Sequence, residues 1–164
     1  LLRKYGVKIL ALNIMGLPVE KPFEADMLTL DLNLKIKPAL ASCGLLYPFP
    51  GTRIEEYSAK AGYLDSKHKG EFLESNKRSS LLKFNSKTEK LKIENLQKLT
   101  GIIVEFPFLR SFTRFLTSLP LTGFYHFLFY LHLGYCHKIR LSPVKSAREV
   151  QIWFGTLFSL LSKT

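Results

Sequence analysis

Residue types that commonly perform catalysis or bind metals are few in this 164-residue chain, and their spacing is unfavourable. The only cysteines, Cys43 and Cys136, are too few for a disulfide framework or for the Cys₄ ligand set of a protein-held [4Fe–4S] cluster. Cys136 and His137 are adjacent, which is not the spacing of a zinc site. His126 and His132 do not align on one helix face. The sequence therefore predicts no catalytic or metal-binding residues.

The neighbouring carboxylates Glu55 and Glu56 are a pair that general acid–base chemistry can use. Thr52, however, stands three residues before Glu55 and forms the capping-box pattern that begins a helix. We therefore expect a helix over 53–61, with Gly62 as the residue that ends it. No serine–histidine–aspartate pattern, P-loop or zinc signature is present.

Two apolar runs each lead into a turn rich in glycine and proline. Residues 7–14 are apolar except for Lys8 and Asn13, as in a parallel strand buried on both faces, and the turn at 16–18 follows. Residues 39–46 form the second run, and the two prolines in 47–52 force a turn after it.

The segment between the two runs, residues 25–37, fits two patterns. Its leucines alternate with polar residues, which is the period of a strand. It also fits a helix with Ala25, Leu28, Leu32 and Ile36 on one face. The crossover that parallel strands require favours the helix. The first 64 residues then follow the order β-loop-α-β-loop-α, which is the α/β class.

The remaining chain divides at a polar, basic linker over 65–87, and 88–164 is predicted to be mainly helical. Pro107 is expected to break the helical pattern of 88–117, in which Leu91, Asn95 and Leu99 lie on one side and the lysines, Lys98 included, lie largely away. Two apolar runs follow at 119–133 and 150–161. The first is too interrupted for a membrane span.

Charge is distributed unevenly along the chain. Residues 1–65 have a net charge of +1, whereas residues 66–164 have 16 basic and 6 acidic side chains, a net charge of +10. This asymmetry is typical of proteins that bind an anionic partner, although a solvated basic face has the same composition. The low cysteine content favours a reducing, cytoplasmic setting.

Both turns carry motifs of one family. The segment Asn13-Ile14-Met15-Gly16-Leu17-Pro18-Val19-Glu20 resembles the fifth-strand motif of radical S-adenosylmethionine (SAM) barrels, usually Gly-Leu-Pro-Gly-Glu-Thr. Val19 replaces its second glycine and Lys21 its threonine. Tyr47-Pro48-Phe49-Pro50-Gly51-Thr52 resembles the sixth-strand motif Pro-x-Pro-Gly-Thr, and 62–64 supply its usual ending. The resemblance covers about 60 residues, and the similar subgroup is the one with an N-terminal cobalamin-binding domain.

The resemblance implies that residues 1–64 are the last two β-loop-α units of a partial TIM-like barrel and that 88–164 are a helical extension. Ligands of such barrels bind at the carboxyl ends of the strands. It therefore implies that Asn13, Gly16 and Leu17 flank SAM and that Tyr47 and Pro50 contact its adenine or close the barrel edge. The alternative is that the glycine and prolines only shape turns.

The implied cofactors are SAM and a [4Fe–4S] cluster, with cobalamin as a further cofactor of the subgroup. The chain lacks the three-cysteine loop of the family, and it begins at Leu1 directly before a strand pattern. We therefore expect a truncated or excerpted enzyme, inactive alone, whose partner is the missing N-terminal part of the barrel. Cobalamin-dependent methyl transfer would be the reaction of the parent.

The competing hypothesis is a non-enzymatic, basic and amphipathic domain that binds a membrane surface or a partner protein. The extension over 88–164 can cover the barrel edge, or it can lie at an anionic membrane surface with its aromatic and basic residues at headgroup level. In that case we expect a cytoplasmic protein that attaches peripherally to a membrane. Nucleic acid is not favoured, because the aromatic residues cluster apart from most basic ones.

Overall fold

The structure is a computed structural model that describes residues 2–64, 79–141 and 155. In these residues the protein is α/β and mostly helical, with a small parallel sheet. The expected linker over 65–87 lies largely outside the described residues, as does the apolar run at 150–161 except for Gly155. A short 3₁₀ helix, Leu2–Tyr5, precedes the first strand.

A β-α-β unit forms the first part of the chain. Strand β1 (Leu10–Met15) and strand β2 (Leu40–Leu45) are parallel, with Leu10 opposite Leu40 and Met15 opposite Leu45. Helix α1 (Pro22–Ile36) is the crossover between them. The helical interpretation of 25–37 and both predicted strands are therefore confirmed, the strands with narrower bounds. The expectation that β1 is buried on both faces is wrong for the described residues, because Leu12 on its outer face is 76% exposed.

The orientation of α1 differs from the expectation. Leu28, Leu32 and Ile36, which a simple apolar stripe would bury, are exposed, Leu28 to 70% and Leu32 to 54%. The opposite face is buried, and it consists of Phe23, Asp26, Met27, Leu30 and Asn33. Asp26 accepts a hydrogen bond from the turn after β1, and Asn33 donates one to β1. These two polar residues therefore face inward, and the leucines face outward.

Helix α2 (Arg53–Lys60) begins and ends as its sequence predicts. The Thr52 hydroxyl accepts a hydrogen bond from the Glu55 N–H at 3.4 Å, and the Glu55 carboxylate accepts one from the Gly51 N–H at 3.1 Å. Gly62 follows the helix with φ +78°, and the N–H of Tyr63 donates to the Ser58 carbonyl, which completes a Schellman motif.

Helix α3 (Lys87–Glu105) is the central element and packs against α1 and β2. The predicted break at Pro107 is confirmed, because a 3₁₀ segment, Pro107–Phe112, separates α3 from α4 (Thr113–Ser118). Helix α5 (Thr122–Tyr135) packs on α3 and continues as a π-helix, Cys136–Leu141. None of the helices in the described ranges is long and apolar enough to cross a membrane.

Polar residues lie inside the packing of α3. Asn95, fully buried, donates to the carbonyls of Thr117 and Leu119 at 2.9 Å each and accepts from the Thr122 hydroxyl, so it joins the end of α4 to the start of α5. Lys98, expected on the outer side, is 2% exposed. Its Nζ donates to the Glu94 carbonyl, and burial lowers its pKa to about 8.

The orientation of α1 can be tested with two leucines on opposite faces of the helix. Leu30→Ala should lower the free energy of unfolding by about 2–5 kcal/mol, because Leu30 is fully buried and its truncation leaves a cavity. Leu28→Ala is the matched control and should change it by less than about 0.5 kcal/mol. Urea unfolding measures both. Equal losses would contradict the observed orientation.

Candidate functional site

The two motif-bearing turns meet at one edge of the sheet. Because β1 and β2 are parallel, their carboxyl ends lie side by side, and the Leu46 N–H donates to the Met15 carbonyl at 2.8 Å beyond the last strand pair. Gly16 and Leu17 follow β1 at this edge, and 47–50 follow β2. The structure thus brings both predicted segments together, and this carboxyl edge is the candidate site.

Gly16 is fixed by a buried carboxylate. Its φ of +71° lies in the left-handed region that favours glycine, and its N–H donates to both carboxylate oxygens of Asp26, at 3.1 and 3.0 Å. A Cβ at Gly16 would lie 3.3 Å from Cγ2 of Ile93 and 3.4 Å from Cζ of Phe84. Glycine is therefore required for the turn and for the close approach of α3.

Asp26 is 1% exposed, and burial raises the pKa of its carboxyl to about 7, against the opposing effect of the Gly16 N–H. The pKa therefore falls in the range where the group titrates around neutral pH. Its protonation changes the strength of the hydrogen bond that holds the turn, because a carboxylate is a stronger acceptor than a carboxylic acid.

The amide of Asn13 lies between β1 and α1. Its Nδ2 donates to the Asn33 Oδ1 and to the Ser42 carbonyl, at 3.3 Å each, and its Oδ1 accepts from the Asn33 Nδ2 at 3.0 Å. Asn33 is fully buried. The amide pair gives Asn13 a structural role beneath the candidate site and ties the crossover helix to the strand.

The other predicted residues lie at the rim of the site. Leu17 is 37% exposed, Tyr47 is half-buried and Pro50 is exposed. The Tyr47 and Phe49 rings form an edge-to-face contact with centroids 4.7 Å apart. This rim offers an apolar and aromatic surface, the kind that stacks on a flat heterocycle.

Val19 fits its turn without strain. Among the described residues other than glycine, Lys37 alone has a positive φ, so the replacement of a motif glycine by Val19 requires no left-handed conformation. The Val19 N–H donates to the Leu17 carbonyl at 2.9 Å, and the Tyr63 hydroxyl donates to the Val19 carbonyl at 3.1 Å. The ending motif after α2 therefore holds the first turn in place.

Both cysteines are buried. Burial raises the pKa of the Cys43 thiol to about 12, and it also raises the pKa of Cys136, whose Sγ lies 3.5 Å from Nε2 of His132. Neither thiol has the thiolate character that metal binding requires. In residues 2–64 and 79–141, no cluster of three or more histidine, cysteine or acidic side chains could hold a metal ion.

Three polar residues that shape this site were not expected from the sequence: Asp26, Asn33 and Gln97. Gln97, 1% exposed, donates from Nε2 to the Cys43 carbonyl at 2.7 Å and thereby joins α3 to β2. Asp26 follows Pro22 by four residues and resembles a first-turn acidic residue that favours the positive end of a helix. Its spacing from Asn33, seven residues or two helical turns, is the signal that both share a face.

Comparisons with known proteins found no matching family model, curated protein or solved structure.

Stability should depend on pH through Asp26. Its pKa is about 7 in the folded protein and near 3.8 when unfolded, so the folded state binds the proton more tightly. The free energy of unfolding therefore falls as pH rises from about 4 to about 7, by up to about 4 kcal/mol. Asp26→Asn should remove this fall, and urea unfolding at pH 4.5 and 7.5 measures the difference.

Asp31→Asn is a control, because the carboxylate of Asp31 makes the free energy of unfolding change with pH in the opposite direction to that of Asp26. The Arg110 guanidinium, hydrogen-bonded to Asp31, lowers the pKa of that carboxyl, so its stabilisation is present above about pH 4 and lost as pH falls. Asp31→Asn should therefore destabilise the protein about equally at pH 7.5 and pH 4.5, and by less once the pH falls below about 4. If the free energy of unfolding of Asp26→Asn still falls between pH 4.5 and pH 7.5, the carboxyl group of Asp26 is not the cause of the fall.

Gly16→Ala and Gly62→Ala separate backbone strain from packing. Both glycines have a positive φ, and each alanine should cost about 1–2 kcal/mol for that reason. Of these two glycines, Gly16 has neighbours within 4 Å of the added Cβ and Gly62 has none. Gly16→Ala should therefore lower the free energy of unfolding by at least about 1 kcal/mol more than Gly62→Ala. Thermal or urea unfolding at one pH compares the two variants. Equal costs would show that α3 gives way at this contact.

Proposed function

We propose that this chain is the C-terminal part of a radical SAM enzyme and that its carboxyl edge binds SAM. The observation that carries the proposal is the position of the two motifs. They are separated by 26 residues of the chain, 21–46, and adjoin at the carboxyl ends of two parallel strands. This edge is where barrels of β-α units bind their ligands.

The uncovered face of the sheet supports placement in a larger barrel. Leu10, Leu12 and Ile14 share one face of β1, and Leu12 is 76% exposed. Side chains of a strand interior are normally covered on their apolar face. In the described residues the sheet has two strands, so the outer edge of β1 also lacks a neighbouring strand there. Further β-α units would pair with this edge and enclose this face.

The exposed stripe on α1 supports the same arrangement. Leu28 and Leu32 project from the helix that covers the other face of the sheet, opposite to the side that contacts β1. In a barrel of β-α units, neighbouring helices form an outer ring. A preceding helix would therefore cover this stripe while a preceding strand pairs with β1.

Within the proposed site, each residue has a limited role. Leu17, Tyr47 and Pro50 supply the exposed apolar rim that packs on the adenine. Asp26 positions the Gly16 turn, and Asn13 joins the strand to α1 beneath it. The [4Fe–4S] cluster, whose family chemistry is reductive cleavage of SAM, needs cysteines that these buried thiols do not provide. Cobalamin-dependent methyl transfer is the proposed reaction of the parent protein.

The rim can be tested in the protein encoded by the complete reading frame. Tyr47→Ala should weaken SAM binding about tenfold, because an aromatic contact to the adenine is lost. Tyr57→Ala is the matched control, since Tyr57 is an exposed tyrosine on α2. Equilibrium dialysis with labelled SAM measures both dissociation constants.

Two results would overturn the proposal. One is an equal effect of the two tyrosine variants on SAM binding. The other is a start codon a few residues upstream of Leu1, in place of a frame that encodes the Cys-x3-Cys-x2-Cys loop of the family.

A further inference from the structure

Two cavities meet at the amino ends of the strands, opposite to the carboxyl edge. The first, which we call the basic cavity, has a volume of about 510 Å³ and lies where the chain enters β1 and β2. Lys8, Lys37 and Arg140 line it, and none of its lining residues in the described ranges is acidic. Such a cavity attracts an anion.

The second, the apolar cavity, has a volume of about 500 Å³ and lies between α3 and α5. Its apolar and aromatic lining consists of Ile102, Phe106, Leu128, Leu131, Tyr135 and Ile139. His132 and Glu105 complete the wall. Burial lowers the pKa of His132, so its imidazole is neutral at pH 7. This volume lies in the range of small-molecule sites, and the lining suits a hydrocarbon chain.

Residues 139 and 140 join the two cavities. Ile139 lines both of them. Arg140 lines the basic cavity, yet its guanidinium donates to both carboxylate oxygens of Glu105, at 2.5 and 2.8 Å, and lies 5.8 Å from the Tyr135 ring centroid. Lys8 Nζ donates to the Arg140 carbonyl, which fixes the entry to β1 against the π-helix. The basic cavity and the apolar cavity thus form one continuous site, with a cationic half and an apolar half.

The surroundings of the apolar cavity are exposed and aromatic. Phe106, which lines it, contacts the Phe108 ring with centroids 6.3 Å apart, and Phe108 is 67% exposed. Phe124, Phe127 and Leu131 are exposed along one face of α5. Aromatic side chains next to basic ones are typical of surfaces that lie at the headgroup level of a bilayer.

We propose that this pair of cavities binds an anionic phospholipid at a bilayer surface. The headgroup phosphate occupies the basic cavity, and one acyl chain lies in the apolar cavity. Charge complementarity decides the class of lipid, because the described residues that line the two cavities include three cations, Lys8, Lys37 and Arg140, and one carboxylate, that of Glu105. The site is separate from the proposed SAM site, because it lies at the other end of the strands, and its test does not depend on SAM binding.

Vesicle co-sedimentation of the full chain tests the site. The chain should bind vesicles of phosphatidylcholine with phosphatidylglycerol and should not bind vesicles of phosphatidylcholine alone. The double variant Lys8→Gln/Lys37→Gln should reduce the partition coefficient by at least about tenfold, because two cations near the headgroups are removed. Arg53→Gln/Lys60→Gln, which removes two exposed cations from α2, should leave it nearly unchanged.

A second variant pair tests the acyl-chain half. Ile139→Ser should also weaken binding about tenfold, since a buried hydrocarbon contact is lost. Leu28→Ser, at an exposed leucine of α1, is its control. Circular dichroism establishes that all variants keep their helical content.

Three outcomes would overturn the proposal. Equal losses in the two double variants would show diffuse attraction by the whole basic chain. Unchanged binding of Ile139→Ser would show that no acyl chain enters the apolar cavity. Displacement of the vesicles by an equal phosphate concentration of duplex DNA would show that nucleic acid is the preferred anion.

Discussion

The hydrogen bonds from the Gly16 N–H to the Asp26 carboxylate are the constraint on which the rest of the structure depends. They place the turn after β1 in a left-handed conformation and hold it against α3. They also set the rotation of α1, because an inward Asp26 brings Leu30 and Asn33 inward with it on the same helical face. The leucines at 28 and 32 then necessarily face outward.

The elements of the fold follow from local signals that the sequence displays. The capping box at Thr52, the glycine after α2 and the proline break after α3 are all short-range chemistry, and each is found where it is predicted. The two strands follow from their apolar runs. The pairing of the two turns at one edge follows from the parallel β-α-β order, so the location of the candidate site could also be predicted.

The packing faces could not be predicted, because they depend on polar groups that gain their partners only in the folded chain. A stripe of leucines is the stronger apolar signal on α1, yet Asp26 and Asn33 hydrogen-bond to β1 and its turn and are buried instead. Lys98 is buried in α3 against the expectation from its charge, with the Glu94 carbonyl as an acceptor. The periodicity of apolar residues in the sequence gives no information about such polar contacts.

The alkylation rates of the two buried thiols can report local unfolding of the protein. Cys43 lies in the sheet beside Asn13 and Thr100, and Cys136 lies at the end of α5 beside His132. Because a thiol reacts as its thiolate and burial disfavours that form in both, alkylation proceeds only through states that expose the sulfur. The rates at the two positions therefore report separately how often the sheet and the helical layer come apart.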